Sequence, residues 1–468
     1  MRRVAILGAG VSGLAAALHL QDAREAHGLD LDIAIYERGT RCGGCVQTIQ
    51  DSGYTMELGP DSLLVEKPAA RELLRRLGLE DEIVAMRPEF RGSRIVHHGR
   101  LRPIPGEFRL FTPKSLPALL TSGIFSPLGI ARAAMEPFIP PRTSGGDESL
   151  ASFVTRRFGR EVLDRLAQPL IGGIYSGDPQ RLSMQATLPQ FLEMERRHGS
   201  LVRAMTAARA TGAPQGTAPQ LMSLRSGLQS IVDALAQHVG SLIRPSSEVT
   251  AIAREGNRFE IAFAGDSTEQ ADAVILALPA YAAARAVRGI DPQLAQLLER
   301  IRYNSIATVN LAYDAGDLPS LPATPGFVVP YVEGRRITAA TISTQKYPDR
   351  SPQDGVLLRA FIGGALQPQL VELPDAELAQ IARDEFADLL GITAQPLFAV
   401  TRRWMRMLPE YGVGHVSLVG EIEARAQALG GLALAGSAYY GVGIPDCVST
   451  GRSAAEQVLK TWETAKSG

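Results

Sequence analysis

The chain has 468 residues, 45% hydrophobic and 21% charged, enough for a large core and roughly two or three domains without disulfide staples. A formal net charge of -1 excludes a global attraction for nucleic acid or acidic surfaces, so basic residues can matter only locally. Three cysteines cannot build a disulfide framework, which fits a reducing compartment and sets the expectation of a cytoplasmic location.

The apolar run Val4–Leu7 predicts a buried strand, with no basic-plus-apolar leader ahead of it. Gly8-Ala9-Gly10-Val11-Ser12-Gly13 then opens an Ala/Leu-rich helix, and a second strand, Ile33–Tyr36, runs into Glu37 and Arg38. A strand, a Gly-x-Gly-x-x-Gly turn, a helix and a second strand ending in an acid form a dinucleotide-binding unit. The first glycine permits the tight turn, the second lets the backbone approach a pyrophosphate, and the third lets helix pack on strand. The helix N-terminus offers unpaired N–H groups to the phosphates. Glu37 stands where a carboxylate accepts hydrogen bonds from ribose hydroxyls, and no arginine replaces it, which argues against a 2′-phosphorylated nucleotide.

Arg41-Cys42-Gly43-Gly44 and Glu57-Leu58-Gly59-Pro60 add two further places for close backbone approach. Cys42 and Cys45 form a Cys-x-x-Cys, but it follows a nucleotide-type βαβ unit instead of opening a helix, so neither a redox pair nor a zinc site is expected, and no metal is assigned. Ala70, Leu73, Leu74 and Leu77 recur at helical spacing and stop at Gly78. A strand-like segment from Arg94 to Leu101 follows, then a proline-punctuated, mainly helical region to about Ser200. Within it Leu116 to Pro140 is apolar but too interrupted by Pro117, Pro127, Arg132 and Glu136 to span a bilayer. Two alternatives stay open there: helices packed against a large apolar substrate, or a face resting on a membrane.

Arg209 to Gln220 has loop composition. Ser226-Gly227-Leu228-Gln229 opens a helix, Val249 to Phe263 alternates as strands about a Gly256-Asn257 turn, and Ala273–Leu278 reads as a buried strand returning to the first sheet. Strands are expected around Ile306–Tyr313, Gly326–Val332, Ile337–Ile342 and Val356–Ile362, then a helix from Asp375 to Leu390, an antiparallel sheet with a helical cover. No internal repeat of solenoid period is present. Leu432–Ala435 is a further buried strand, followed by Gly436, then Tyr440-Gly441-Val442-Gly443-Ile444-Pro445-Asp446 and a helix to about Trp462. Pro445 suits a first helical turn, and the helix dipole then aims positive potential at whatever sits before Ile444, such as the negatively charged pyrimidine side of a reduced flavin.

With Tyr440 to Cys447, Pro169-Leu170-Ile171-Gly172-Gly173-Ile174-Tyr175-Ser176-Gly177-Asp178 followed by Leu182-Ser183-Met184, and Leu101-Arg102-Pro103-Ile104-Pro105 in hand, the chain resembles the oxygen-dependent porphyrinogen oxidases of heme synthesis. The likeness runs nearly end to end. It implies an α/β plus α+β architecture: a Rossmann-like FAD domain from discontinuous segments (1–85, 225–300 and 400–468), an antiparallel-sheet substrate domain (200–224 and 301–399), and a helical domain (86–199) of the kind that often meets the membrane. It implies FAD contacts from Gly8, Gly10, Val11, Ser12, Gly13, Glu37, Arg38, Gly43, Gly44, Gly59, Pro60, Val249, Gly436, Val442, Gly443 and Ile444. Gly173 would lie by the reacting carbon, where a residue without a side chain leaves room for a macrocycle. Two positions depart from the family pattern: Cys45 stands where a basic residue often follows Gly-Gly, and Gln168 where a Glu often precedes the proline.

The reaction implied is oxidation of protoporphyrinogen IX, coproporphyrinogen III or both, in three two-electron rounds with dioxygen as acceptor and peroxide as product. Hydride leaves a bridging carbon and a pyrrole N–H becomes acidic enough to lose its proton to water, so no general base is assigned. Substrate propionates need cations, because burying them unpaired is costly. Arg94 matches by position the family's carboxylate-binding arginine, Lys346 is the second candidate, and Tyr347 would stack on a pyrrole. Lys346 and Arg359 are similar to the coproporphyrinogen-using branch, whose substrate carries four carboxylates. The alternative is a flavin amine oxidase or phytoene-desaturase relative. Subunit number is left open.

Overall fold

The computed structural model describes residues 1–64, 67–90, 92–104, 108–113, 120, 123–143, 145–210 and 221–464. Of the loop expected from Arg209 to Gln220, Arg209 and Ala210 instead end the helix Leu201–Ala210, while 211–220, the end of the Leu101–Pro105 motif and parts of the 116–140 apolar stretch lie outside the described residues.

A five-stranded sheet organises the molecule. Its order is Ile243–Arg244, Leu31–Tyr36, Arg2–Leu7, Ala273–Leu276 and Leu432–Leu434, and every neighbouring pair is parallel. Parallel strands are covered on both faces, and so Val4–Leu7 and Val274–Leu276 are apolar without alternation and fully buried. One face packs on the helices Val11–His27 and Ile444–Thr464, the other on Ala280–Val287 and His415–Ala428. The first and last helices meet backbone to backbone: a Cβ at Gly451 would fall 2.2 Å from the Ser12 carbonyl oxygen. Segments hundreds of residues apart thereby build one nucleotide-type layer.

A seven-stranded sheet runs in the order Phe398–Glu410, Arg302–Asp314, Gly355–Gly363, Ala339–Ile342, Gly326–Val328, Arg94–His97, Arg100–Pro103. Its pairs are antiparallel except Gly326–Val328 with Arg94–His97. The helix Asp375–Leu390 covers one face. The other meets the hairpin Thr48–Asp51/Tyr54–Glu57 through Tyr54, Met56, Leu58 and Trp404. The single strand-like segment expected from Arg94 to Leu101, inside the 86–199 block, is instead a hairpin of two strands, Arg94–His97 and Arg100–Pro103, paired into this sheet, and Phe398–Glu410 carries the sheet across residue 400. Leu221–Leu224 joins neither large sheet but pairs with Leu63–Leu64 and Ile83–Ala85. Such pairings are non-local, and short apolar runs do not encode their partners.

The helical layer, Leu150–Phe158, Gln168–Tyr175 and Pro189–His198 among others, closes around Phe111, Phe153, Phe158 and Phe191. At its centre Arg157 and Glu136, both fully buried, form an ion pair; Glu136 also accepts from the Leu201 N–H at 2.9 Å.

Candidate functional site

The Gly8–Gly13 turn takes the shape its sequence predicts. Gly8 has φ +103°, and a Cβ there would fall 2.5 Å from the Ala277 carbonyl oxygen; a Cβ at Gly13 would fall 2.0 Å from that of Gly8. At Gly10 an added Cβ would meet nothing within 4 Å, so this one glycine faces open space. The following helix starts at Val11 with no side-chain cap, leaving its first N–H groups for an anion. Val11 and Ser12 are buried, so what they present to a ligand is backbone. Glu37 accepts from the Ala9 N–H through Oε2 and the Gly39 N–H through Oε1, both at 2.9 Å, which fixes its carboxylate at the turn. Arg38 is exposed. The Glu37 N–H donates to the Arg244 carbonyl and its carbonyl accepts from Ser247, so the chain leading to Val249 borders the same spot.

The second loop stacks on the first. Gly43 and Gly44 have φ +99° and +61°, and the Gly43 N–H donates to the Ala9 carbonyl at 2.8 Å. Arg41 staples this loop, donating to the carbonyls of Cys42 at 2.7 Å, Val46 at 2.8 Å and Gly44 at 2.5 Å. Arg41 carries no expected role in the sequence; its place two residues before the glycine pair is the signal that marks it. Leu58–Gly59–Pro60 lies against the same loop: a Cβ at Gly59 would fall 1.7 Å from the Cys45 carbonyl oxygen. The Leu58 carbonyl accepts from Thr308 Oγ1 at 2.9 Å and Trp404 Nε1 at 2.7 Å, tying this strip to the seven-stranded sheet.

The C-terminal turn converges from the opposite end of the chain. Gly436 has φ +128°, meets nothing within 4 Å of an added Cβ, and donates its N–H to Thr450 Oγ1 at 3.1 Å. Val442, Gly443 and Ile444 lead into the helix Ile444–Thr464, whose Asp446 accepts from Lys67 Nζ at 2.5 Å and from the Gly443 N–H at 3.3 Å. Tyr411, which the sequence did not single out, locks the turn: its hydroxyl donates to the Ser437 carbonyl at 2.6 Å and accepts from the Gly441 N–H at 2.7 Å. His415 stacks on it at 4.1 Å. Burial pushes the Tyr411 phenol up and the His415 imidazole down, so both are neutral near pH 7. Cys42, Cys45 and Cys447 are free thiols; burial first, then the nearby Cys45, pushes Cys447 up to about 12.

Gly173, in the helix Gln168–Tyr175, is exposed, and a Cβ there would touch only Val328 Cγ1, at 3.9 Å. Gln168 accepts from the Tyr331 N–H at 2.9 Å, a backbone contact that needs no carboxylate. The structure distributes the expected substrate residues unevenly. Arg94 opens the strand Arg94–His97, half-buried, its side chain with no hydrogen bond or ion pair among the described residues. Its neighbour Ile95 packs into the helical layer with Val328, while Val96 joins the opposite face, so alternation starts Arg94 on the side away from Gly173. Lys346 is committed to Asp61, with Nζ 2.8 Å from both carboxylate oxygens. Tyr347 is 2% exposed, its hydroxyl donating to Ser62 Oγ at 2.8 Å; a ring so enclosed has no free face for stacking. Burial pushes the Asp61 carboxyl up, but Lys346 and Arg359 outweigh that and hold it well below the usual carboxylate range. His97 and His98, 4.1 Å apart, sit at the strand end, with His97 Nδ1 facing Arg165.

The fit to a flavin dinucleotide is physical. An uncapped helix start, a fixed acid, two glycines whose Cβ positions are empty, and a second helix N-terminus lie along one edge of the parallel sheet.

The family model described as flavin containing amine oxidoreductase matches residues 11–459. Over 468 aligned residues the chain is 32% identical to a coproporphyrinogen III oxidase of Bacillus subtilis, covering 98% of each. It is 27% identical to the chloroplastic protoporphyrinogen oxidase of Nicotiana tabacum, covering 97% of this chain and 84% of that one. A crystal structure from Exiguobacterium sp. 255-15, assigned as a protoporphyrinogen oxidase, superposes with TM-score 0.84 at 31% identity over 99% of both chains. Putrescine oxidase bound to putrescine, at 19% identity and TM-score 0.68, shares the fold alone.

Proposed function

The chain belongs to the family of flavin-containing amine oxidoreductases, and on that premise we propose that it oxidises coproporphyrinogen III to coproporphyrin III in heme synthesis, with dioxygen as final acceptor. It is an FAD-dependent oxidoreductase. The observation that carries the substrate is full-length likeness to coproporphyrinogen III oxidases.

Bound FAD supplies acceptance of two electrons per round and their delivery to dioxygen. The chain's residues do the rest. The N–H groups at Val11 and the carboxylate of Glu37 hold the nucleotide end, with Arg38 and Val249 alongside. Gly43, Gly44, Gly59 and Pro60 bring backbone close, and Val442, Gly443 and Ile444 present the last helix's N-terminus. Gly173 leaves space for the macrocycle, whereas Arg94, whose side chain has no hydrogen bond or ion pair among the described residues, starts on the face of its strand away from Gly173, so the geometry does not favour it as the propionate contact. Lys346 contributes through its pair with Asp61 instead of as a free cation. No side chain here needs to take the pyrrole proton: burial first, then Asp446, pushes Tyr175 up to about 12, and His415 is buried behind Tyr411. Water accepts it. Six electrons and six protons leave the substrate in three rounds, reducing three O2 to three H2O2.

Exposed Leu128, Met135 and Phe138 support peripheral contact with a membrane surface, on a chain in whose described residues no helix is long and apolar enough to cross one. Flotation with anionic liposomes tests this; a triple Ser variant that floats equally well counts against it.

Steady-state assays decide the substrate. Porphyrin fluorescence should rise faster from coproporphyrinogen III than from protoporphyrinogen IX, with three O2 consumed per porphyrin. A flavin-loaded protein inert towards both, yet releasing peroxide with amines, would overturn the proposal.

A further inference from the structure

Behind the Leu58–Gly59–Pro60 strip the protein buries more positive than negative charge. Arg359, in the strand Gly355–Gly363, is 2% exposed. One Nη donates to the Gly59 carbonyl, while Nε and the other Nη have no hydrogen-bond partner among the described residues. Its cross-strand neighbour Asn310 is fully buried with Oδ1 likewise unpartnered. Lys346 stands on Asp61. Arg350, 3% exposed, donates to Ser223 Oγ and to the Leu224 and Arg225 carbonyls. Buried Glu57 accepts from the Thr48 hydroxyl and the Leu228 N–H. Three cations thus face two carboxylates; burial pushes the Glu57 carboxyl up and the Arg359 guanidinium down, the latter opposed by Asp61 and Glu57.

A buried guanidinium with idle donors is costly unless its charge is used. The two free nitrogens are sealed from solvent, so they do not line the proposed flavin site, and Arg359 can act on it only through its field. That field is weakly screened, because the group lies in the interior. One strip of backbone, Gly59, stands between it and the stacked glycine loops: Cys45, against which Gly59 packs, follows the Gly43-Gly44 pair, and Gly43 is bridged to Gly10.

We propose that Arg359 is an electrostatic positioning residue: from behind Gly59 it stabilises the negative charge the flavin gains on reduction, with Asp61 and Lys346 setting the strength of that field. This rests on the placement of the flavin against Gly59 and Pro60 given above. It differs from the expectation that Arg359 serves a substrate carboxylate, which would need its donors exposed.

The test is the two-electron midpoint potential of purified, FAD-loaded protein without substrate. In R359M the reduced form should be disfavoured at least tenfold, a potential lower by about 30 mV. R359K, which keeps the charge, should match the wild type. D61N removes a buried negative charge and should raise the potential, which gives a second measurement if R359M does not fold. Stoichiometric flavin with unchanged potentials in the variants that fold would overturn the inference and leave the proposed function standing. Protein that binds no flavin would overturn the cofactor placement and the inference with it.

Discussion

The space at Gly173, where an added Cβ would meet only Val328 at 3.9 Å, is what the proposed function gives to the macrocycle. Gly173→Leu should lower turnover at least a hundredfold while absorbance spectra show FAD bound at wild-type stoichiometry; unchanged kcat would refute the packing argument. Arg94→Ala should leave KM and kcat little changed, because Arg94 starts on the face of its strand away from Gly173. A KM raised about tenfold, the loss of one charge-assisted contact, would put it in the site. Arg41 and Tyr411 act on backbone carbonyls and N–H groups, partners that no sequence pattern names.

At the scale of elements, the contact between the first and last helices holds the two glycine turns in register. Gly451→Val should place side-chain atoms against the Ser12 carbonyl and destabilise the protein by about 1–3 kcal/mol, with loss of flavin, read from denaturant midpoints and spectra. The helical layer depends on a different kind of link. Arg157→Met leaves Glu136 buried without its counter-charge and should cost about 3–5 kcal/mol. An equal chemical-denaturation midpoint would show that the pair is dispensable. The proline-broken sequence around these helices revealed that they were short, yet not that an ion pair sits at their centre.

The whole molecule carries a pH dependence set by histidines. His19, His97 and His415 have pKa values lowered chiefly by burial from 6.5, so folding favours their neutral forms. A lowered folded value means stability is complete above the unfolded value and is lost as pH falls through the folded one. Melting temperature should therefore be flat from pH 8 to about 7 and decline below about 6.5. A rise in that interval would contradict the burial assigned to these rings.

By itself the sequence determined the nucleotide turn, the acid after the second strand, the buried parallel strands and the glycine-rich start of the last helix, because each is written in a contiguous run with a local geometric cause. Only the tertiary structure decided that Arg94–His97 belongs to the seven-stranded sheet, that Lys346 is spent on Asp61, that Tyr347 is enclosed and that Arg359 lies sealed behind Gly59. Those facts depend on which distant segment arrives opposite a side chain. A carboxylate 285 positions away changes what a lysine can do without leaving any mark beside it in the chain.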